Sequence, residues 1–342
     1  MRRRAFLLGT LAGAAFPAAS AQALRYPVVK PGHRLEFPRD HGAHPEFRQE
    51  WWYLTGWLAS ERNDPLGFQV TFFRARPDVE TGNPSALTAR QVLLAHAALS
   101  DPARGALRHD ERAARAALGL AGAEEGRTRV WVDDWRLDLE NSTYRTRVVA
   151  RDFSLDLECE ARQPPLLQGD QGFSRKGHRP EEASYYYSRP QLAVRGTIER
   201  GGPREAVQGT AWLDHEWSSQ YMAADAVGWD WVGLNLGDGG SLTAFRMRDR
   251  AGGTLYAPAG VSFVPRRSWR SPRTAVEYPV EMRVAAAGQT YDLKPLMDDQ
   301  ELDARASTGT IYWEGAVLAL EGAREAGRGY LELTGYWKPM RF

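Results

Sequence analysis

Three short segments place tryptophan rings next to acidic residues: QEWWYLTGW (49–57), AWLDHEWSS (211–219) and GWDWVGLNL (228–236). Together they hold seven of the twelve tryptophans of the chain. Packing alone explains clustered rings, but it does not explain an acid beside them in three places. Indole faces stabilise a developing positive charge, and a carboxyl group among apolar neighbours can remain protonated near neutral pH. The segments therefore predict a site in which an un-ionised acid donates a proton inside an apolar, ring-lined cavity.

The segment AWLDHEW has the alternation of a β-strand, in which successive side chains point to opposite faces. One face then carries Leu213, His215 and Trp217, and the other carries Trp212, Asp214 and Glu216. If the first face lines a barrel interior, an imidazole lies among apolar groups and the two acids face outwards, towards a second domain. His215 is accordingly a candidate catalytic residue. A histidine whose hydrogen bonds are satisfied within the core is the alternative.

In GWDWVGLNL the arrangement is reversed. Asp230 shares a face with Val232 and Leu234, while Trp229 and Trp231 point the other way. Burial among aliphatic side chains raises the pKa of a carboxyl group, so Asp230 is predicted to be the neutral catalytic acid. A turn or edge position, with the carboxylate accepting bonds from backbone amides, is the alternative.

Further polar and aromatic residues are predicted to contact a ligand. Glu50 precedes the first pair of tryptophans, although a buried ion pair with an arginine such as Arg74 would also explain it. In SYYYS (184–188) the first and third tyrosines share a face and could present hydroxyl groups to a cavity, or could simply belong to the core. The predicted ligand-binding residues are Glu50, Trp52, Tyr185, Tyr187, Trp229 and Trp231.

Other kinds of catalytic site find little support. The chain contains no G-x-S-x-G elbow, phosphate-binding glycine loop or dinucleotide fingerprint. Asp40, His41 and His44 in DHGAH could form half of a metal site completed by His96 or His215, but their spacing is equally typical of a polar loop. We therefore expect no metal and no cofactor.

The elements that must position these residues are mainly short strands bounded by Gly, Pro and Asp. One short helix is expected over 109–122 (HDERAARAALGLAG), and 162–184 is expected to be a loop over a barrel mouth. So little helical signal favours an all-β fold of two antiparallel barrels. The predicted domains are an export signal (1–23), a first barrel (24–219) and a second barrel (220–342).

The first 23 residues have the features of an export signal: Arg2, Arg3 and Arg4, then an apolar run, then small residues suited to cleavage. RRAFL resembles the twin-arginine pattern, so we expect a periplasmic or secreted protein. The remaining chain has 41 basic and 43 acidic residues, which gives no reason to expect nucleic-acid binding. Cys159 is the only cysteine, so no intramolecular disulfide can form.

Several longer motifs resemble the carotenoid 1,2-hydratase family, which includes exported AttH-like proteins. They are DHGAHPEFRQEWWYLTGWL, GFQVTFFR, QGDQGFSRKG, ASYYYSRPQL, GTAWLDHEWSS, GWDWVGLNL and GYLELTGYW. The resemblance extends from about residue 25 to the C-terminus. It implies two lipocalin-like (calycin-type) antiparallel β-barrel domains packed side by side.

The resemblance also implies a function. Hydratases of this family add water to an isolated alkene of an isoprenoid, which makes them carbon–oxygen lyases. Their H-x-W element corresponds to His215 and Trp217, and their acid corresponds best to Asp230. A carrier of lipid or another hydrophobic ligand, acting beside an ABC-transporter system, is the alternative that the family leaves open. Either function implies a hydrophobic small molecule as the partner.

Overall fold

The computed structural model describes residues 26–78, 85 and 88–340. The predicted export signal (1–23) lies outside this range. Strands dominate the described residues, which contain no α-helix and a single 3-10 turn at Arg39–His41. None of their helical segments has the length and apolar character needed to cross a membrane. The predicted all-β, lipocalin-like fold is confirmed.

The first sheet is a nearly closed antiparallel barrel. Its thirteen strands among the described residues are β1 (Gln49–Ser60), β2 (Pro65–Ala75), β3 (Val92–Ser100), β4 (Arg108–Arg115), β5 (Ala121–Ala123), β6 (Arg129–Val132), β7 (Trp135–Glu140), β8 (Thr143–Val149), β9 (Ser154–Glu160), β10 (Leu166–Leu167), β11 (Phe173–Arg175), β12 (Ala183–Glu199) and β13 (Glu205–Gln220). They follow the order β4-β3-β2-β1-β13-β12-β9-β8-β7-β6-β5, and β10 and β11 pair with β12. The end strands β4 and β5 approach each other and almost close the barrel.

The second sheet forms half a barrel. Its nine strands are β14 (Gly228–Leu236), β15 (Ser241–Arg248), β16 (Thr254–Tyr256), β17 (Ser262–Arg270), β18 (Glu277–Ala286), β19 (Gln289–Pro295), β20 (Glu301–Ala304), β21 (Thr310–Glu321) and β22 (Arg324–Leu333). Their order is β16-β15-β14-β22-β21-β19-β18-β17, with β20 paired to β21. The chain passes from the first sheet to the second between Gln220 and Gly228.

Alternating side chains give each sheet its own core. In β9, Leu155, Leu157 and Cys159 are fully or almost fully buried inside the first barrel, while Asp156 between them is exposed. Full burial of one aliphatic or aromatic side chain stabilises the fold by roughly 1.5–3 kcal/mol. The second core lies on the concave face of the second sheet, around Met282 and Leu331.

The prediction of a helix over 109–122 is wrong. Residues Arg108–Arg115 form β4, which pairs along its length with β3. Helix propensities differ by less than about 1 kcal/mol per residue. Pairing with the edge of a sheet gives alternate residues of the segment backbone hydrogen bonds to β3, and this outweighs the weak helical preference. The long segment 162–184, expected as a loop, contains the short strands β10 and β11.

The outer face of the first barrel packs against the convex face of the second sheet. Trp57, Trp212 and Trp231 belong to one buried cluster at this contact, and Trp57 Nε1 donates a hydrogen bond of 2.9 Å to the carbonyl oxygen of Gly329. Gly67 permits the close approach, because a Cβ atom there would lie 2.6 Å from the Cβ atom of Ala316. The two sheets are therefore packed directly against each other, and a cavity lies between them.

Candidate functional site

A cavity of about 620 Å³ lies between the two sheets. Its rings come from both sides: Trp51, Tyr53 and Phe73 from the first sheet, and Trp229, Trp231 and Tyr312 from the second, with Tyr221 from the connection between them. Five acidic residues line the same space: Glu50, Asp214, Glu216, Glu314 and Glu332. The predicted combination of aromatic rings and carboxyl groups is present, but most of the acids are not the predicted ones.

The predicted alternation of β13 is what brings two of the acids to the cavity. Leu213 and His215 face the first barrel, where His215 stacks on Trp52 at a centroid distance of 4.7 Å. Asp214 and Glu216 point the opposite way, towards the second sheet, and are 4% exposed. The face with Asp214 and Glu216 therefore lines the cavity, and the face with the predicted catalytic residue His215 does not.

Asp214 accepts hydrogen bonds from three side chains. Its donors are Ser188 Oγ, Tyr186 Oη at 2.7 Å and Trp212 Nε1 at 2.7 Å. Burial raises the pKa of Asp214 to about 7, although these three donors act in the opposite direction. Since three donors already converge on its oxygens, Asp214 is less well placed than Glu314 to transfer a proton to a ligand.

Glu216 forms a buried ion pair. Lys176 Nζ lies 2.8 Å from Glu216 Oε1, and the Ser184 hydroxyl donates to the same oxygen. Both side chains of this ion pair are at most 5% exposed. Burial raises the pKa of Glu216, and the charge of Lys176 opposes that effect. Glu216 is therefore a charge-paired group and is not available as an acid.

Glu314 and Glu332 lie directly opposite each other on the neighbouring strands β21 and β22. Glu314 Oε1 is buried and has no hydrogen-bond partner, whereas Glu332 Oε2 accepts a bond of 2.7 Å from Trp229 Nε1. Burial, followed by the charge of Glu332, raises the pKa of Glu314 well above its ordinary value. Burial raises the pKa of Glu332 to about 7. Two like carboxyl groups in such positions cannot both ionise easily, so one proton is retained by the pair.

Of the acids in the cavity wall, Glu314 is the best placed to donate a proton. It is 3% exposed, and burial followed by the charge of Glu332 favours its protonated form. Its Oε1 atom makes no hydrogen bond of full geometry, and the hydroxyl groups of Tyr53 and Tyr312 are the neighbours that interact with the carboxyl group. The hydroxyl group of Tyr53 is likewise buried without a hydrogen bond of full geometry, and burial followed by the charge of Glu314 raises the pKa of that phenol. The Tyr53 hydroxyl and the Glu314 carboxyl group also interact with each other, so they form a buried pair of polar groups beside the cavity.

The rings of the cavity walls are oriented to contact a ligand with their edges and faces. Tyr53 and Trp231 meet edge to face at 5.3 Å, and Tyr221 meets Trp51 and Trp229 in the same way at 4.9 and 5.6 Å. The negative face of such a ring attracts a cation by about 0.5–2 kcal/mol, depending on how far the site excludes water. The walls can therefore stabilise positive charge that develops beside Glu314.

Glu50 lies where the cavity meets the interior of the first barrel. Arg74 Nε donates to Glu50 Oε2 at 2.8 Å, which is the ion pair considered in the sequence analysis. His44 Nδ1 and His215 Nε2 each lie 2.8 Å from Glu50 Oε1. Burial opposes ionisation of Glu50, but Arg74 and His44 outweigh it and hold the pKa of Glu50 well below its ordinary value. Burial also opposes the charge of His44, yet Glu50 and Asp40 raise the pKa of His44 to about 9.

His44, Glu50 and His215 also form the group whose donor atoms converge closely enough to hold a metal ion, among the residues that the structure describes. In the present geometry each histidine bonds to Glu50 Oε1, and Arg74 donates to the other oxygen of Glu50. The positive charge next to Glu50 is thus supplied by Arg74 and His44. The expectation that this protein needs no metal stays a prediction.

Most of the predicted aromatic site residues lie behind the wall of the first barrel. Trp229, Trp231 and Glu50 line the cavity. His215, Trp217, Trp52, Tyr185 and Tyr187 do not line it and pack inside the first barrel or at its end. Tyr187 Oη bridges the Nδ1 atoms of His41 and His215, at 2.9 and 3.2 Å. Burial lowers the pKa of His215, which keeps its imidazole neutral within this network.

The apolar surroundings predicted for Asp230 are wrong. The side chain does face the second core, as its alternation predicts, and it is fully buried. However, Arg246 Nε and Arg248 Nε contact its two oxygens at 2.7 and 2.9 Å, and Tyr336 Oη donates to one of them at 3.0 Å. The register places Arg246 directly opposite Asp230. A carboxylate held by two guanidinium groups is an ion-pair partner and not a proton donor, so the acid assignment to Asp230 is not carried further.

The sequence held a signal for the acids that we missed. Glu314 is the only charged residue in TIYWEGAVLAL, and Glu332 stands between two leucines in GYLELTG. A lone acid in an otherwise apolar strand deserves the same weight that we gave to Asp230. A paired arginine pattern, FRMR (245–248), was the available indication that Asp230 would be neutralised.

We expect the free energy of unfolding to fall as pH rises from about 5 to 8. Burial raises the pKa of Asp214, Glu314 and Glu332, so the native state keeps protons that the unfolded chain has already released. The stabilisation that these groups contribute is therefore at its full value below the pKa they have in the unfolded chain. It is lost as pH rises through the pKa they have in the native state. Each such group contributes about 1.4 kcal/mol per pH unit over that window. Denaturant unfolding at several pH values measures the slope.

The matched variants for this experiment are Glu332→Gln and Glu277→Gln. Glu277 is exposed in the same sheet and serves as the control. Glu332→Gln should flatten the decline and Glu277→Gln should leave it unchanged. A decline of equal slope in all three proteins would contradict the assignment of neutral carboxyl groups to the cavity.

Comparisons with known proteins agree with this architecture. The sequence matches the AttH-like family over residues 28–336. A crystal structure of a Nitrosomonas europaea protein assigned as AttH is 49% identical, covers 91% of this chain and 100% of its own, and has a TM-score of 0.86. Kievitone hydratase from Nectria haematococca has the same fold at 14% identity, with 92% and 96% of the two chains covered and a TM-score of 0.62. No curated protein matches the sequence significantly.

Proposed function

This chain belongs to the AttH-like family, and from that premise we propose that it binds an apolar, unsaturated ligand between its two sheets and adds water to an alkene of that ligand. Glu314 is the proton donor in this proposal, and Glu332 is the base. The observation that carries the proposal is the buried carboxyl group of Glu314, whose pKa is raised and whose Oε1 atom makes no hydrogen bond of full geometry, in the wall of an aromatic cavity. The hydratase neighbour supports the fold alone, so the chemistry is argued from these residues.

The reaction begins with protonation of the alkene. The proton of the Glu314 carboxyl group adds to the less substituted carbon, the π bond breaks, and a tertiary carbocation and the Glu314 carboxylate result. A neutral acid is required because an alkene is a very weak base, and burial of Glu314 keeps the acid neutral. The new carboxylate and the faces of Tyr53 and Trp231 stabilise the cation.

Water addition completes the reaction. A water oxygen forms a bond to the cation while the Glu332 carboxylate accepts the released proton, which gives a tertiary alcohol. Burial raises the pKa of Glu332 to about 7, so at neutral pH the group exists in both forms and can serve as this base. Because Glu332 lies opposite Glu314, return of the proton from Glu332 to Glu314 restores the starting state.

A hydration assay with prenylated apolar compounds tests the proposal. The tryptophans of the cavity wall, Trp51, Trp229 and Trp231, should report binding through quenched fluorescence. Mass spectrometry should then show a product heavier than the substrate by one water, with oxygen from labelled water incorporated. Saturable quenching without any hydrated product would overturn the hydratase proposal and favour the carrier, because an aromatic cavity binds an apolar ligand whether or not it reacts.

The site of action is also a proposal. The arginine-rich start and the following apolar run support export before the protein acts. Fractionation of the source bacterium, with detection of a mature chain that begins near residue 24, tests this directly. A full-length chain in the cytoplasm would contradict it.

A further inference from the structure

The entrance and the interior of the cavity carry opposite kinds of charged group. The partly exposed Arg48 and Arg76 and the exposed Lys338 line its outer part. The buried acids, Glu216 and Glu314 among them, line its inner part. The one buried arginine of the described lining, Arg74, is already paired with Glu50, so a ligand that enters this cavity meets available cations first and carboxyl groups last.

The cations at the entrance are only partly neutralised. The backbone N–H of Arg76 donates to the carbonyl oxygen of Arg48 at 2.8 Å, which holds the two residues side by side. Both guanidinium groups lie over the ring of Tyr26, at 5.7 and 5.6 Å. Among the residues that the structure describes, Asp78 is the carboxylate that pairs with them, at 3.8 Å from Arg48. Within the described residues, Arg76 has no ion-pair partner.

Lys338 adds a third cation from the second sheet's side. It follows the last strand, in a C-terminal segment that is held by a bond from Met340 N–H to the carbonyl oxygen of Val227 at 2.8 Å. Its ammonium group lies 4.1 Å from the centroid of Trp337 and pairs with no carboxylate that the structure describes. The entrance is thus flanked by cations on two independent chain segments.

The distance between the two ends of the site sets the length of a ligand. Arg48 precedes β1, and Tyr53, whose hydroxyl lies in the electrostatic field of Glu314, is five positions further along this strand. Five residues of extended chain span roughly 17 Å. The walls between the ends are largely aromatic, including Trp51 and Phe73.

We propose that the ligand is an anionic amphiphile: a linear prenyl chain with a carboxylate headgroup, bound at the entrance by Arg48, Arg76 and Lys338. This inference rests on the proposed function, since it places the reacting alkene of that ligand beside Glu314. The charge pattern also fixes the direction of binding. A carboxylate gains from the three cations at the entrance and would be repelled inside by Glu332, which has no cation partner among the described residues, so the headgroup stays outside and the chain enters.

Binding of a matched set of probes tests the headgroup site. We would compare geranylgeranoic acid with geranylgeraniol, which has the same chain and no charge, by quenching of tryptophan fluorescence at pH 7.5. The acid should bind wild-type protein at least about tenfold more tightly than the alcohol, and this preference should weaken as salt screens the exposed cations. The variant Arg76→Gln/Lys338→Gln should lose the preference while its affinity for the alcohol stays unchanged.

The control variant Arg147→Gln/Lys294→Gln has the same net charge, and both of its substituted residues are exposed at a distance from the cavity lining. It should keep the preference for the acid. Equal affinity of wild-type protein for acid and alcohol, or a preference that survives Arg76→Gln/Lys338→Gln, would overturn the headgroup site. If the acid binds preferentially but is not hydrated, the headgroup site stands and the hydratase proposal falls. If both compounds are hydrated and bind equally, the reverse holds.

Discussion

Replacement of Glu314 by glutamine is expected to lower the rate of alkene hydration by roughly 10²–10⁴-fold, the usual contribution of a general acid. Glutamine has nearly the same size, so the cavity wall keeps its shape, but its amide cannot donate a proton to an alkene. The substrate should bind Glu314→Gln with nearly wild-type affinity. The effect should therefore appear in kcat and not in the dissociation constant measured by tryptophan quenching.

Three further variants make this prediction specific. Glu277→Gln changes an exposed acid of the same sheet and should retain full activity. Glu332→Gln should reduce activity and remove one limb of the pH–rate profile, because the proposed base titrates near the raised pKa of about 7. Asp230→Asn should chiefly weaken the fold, since it leaves Arg246 and Arg248 without their carboxylate. Full hydratase activity in folded Glu314→Gln would remove Glu314 from the mechanism.

Replacement of Glu50 by glutamine is expected to lower the free energy of unfolding by about 3–5 kcal/mol, because it leaves buried cations without their counter-charge. Arg74 is 2% exposed and would lose the carboxylate with which it pairs, and His44 would lose the main group that raises its pKa to about 9. Denaturant unfolding of Glu50→Gln at pH 7 measures the loss. The exposed Glu46, four residues earlier, is the matched control, and Glu46→Gln should change stability by less than about 0.5 kcal/mol.

A double variant separates the cost of an unpaired charge from other effects of the substitution. Glu50→Gln combined with Arg74→Met removes both members of the ion pair at once. Its loss of stability should be smaller than the sum of the two single losses, because neither charge is then left buried alone. Additive losses would show that the contact between Glu50 and Arg74 contributes little, and would contradict this reading of the network.

Strand patterns were sufficient to predict several parts of the site. The alternation of AWLDHEW correctly separated His215 from Asp214, and the alternation of GWDWVGLNL correctly separated Asp230 from Trp229 and Trp231. The long motifs around these strands were sufficient to recognise the AttH-like family and its lipocalin-like fold. The pairing of Glu50 with an arginine was also among the stated alternatives.

The identity of the acid was not predictable in the same way. Asp230 and Glu314 are both single acids in apolar strands, and their own sequences do not distinguish them. The partner strands do: Arg246 lies opposite Asp230, whereas Glu332 lies opposite Glu314. The first carboxylate is therefore paired with guanidinium groups, whereas burial and the neighbouring Glu332 favour the protonated form of the second.

The amino-acid sequence by itself determined which face of each strand a side chain occupies, because the period of two is a property of the extended backbone and needs no partner. The tertiary structure alone decided which of the two buried faces meets the other sheet and which charges meet there. A pKa depends on groups within a few ångströms, and in this protein those groups come from strands up to hundreds of residues apart, as in the contact of Glu50 with His215.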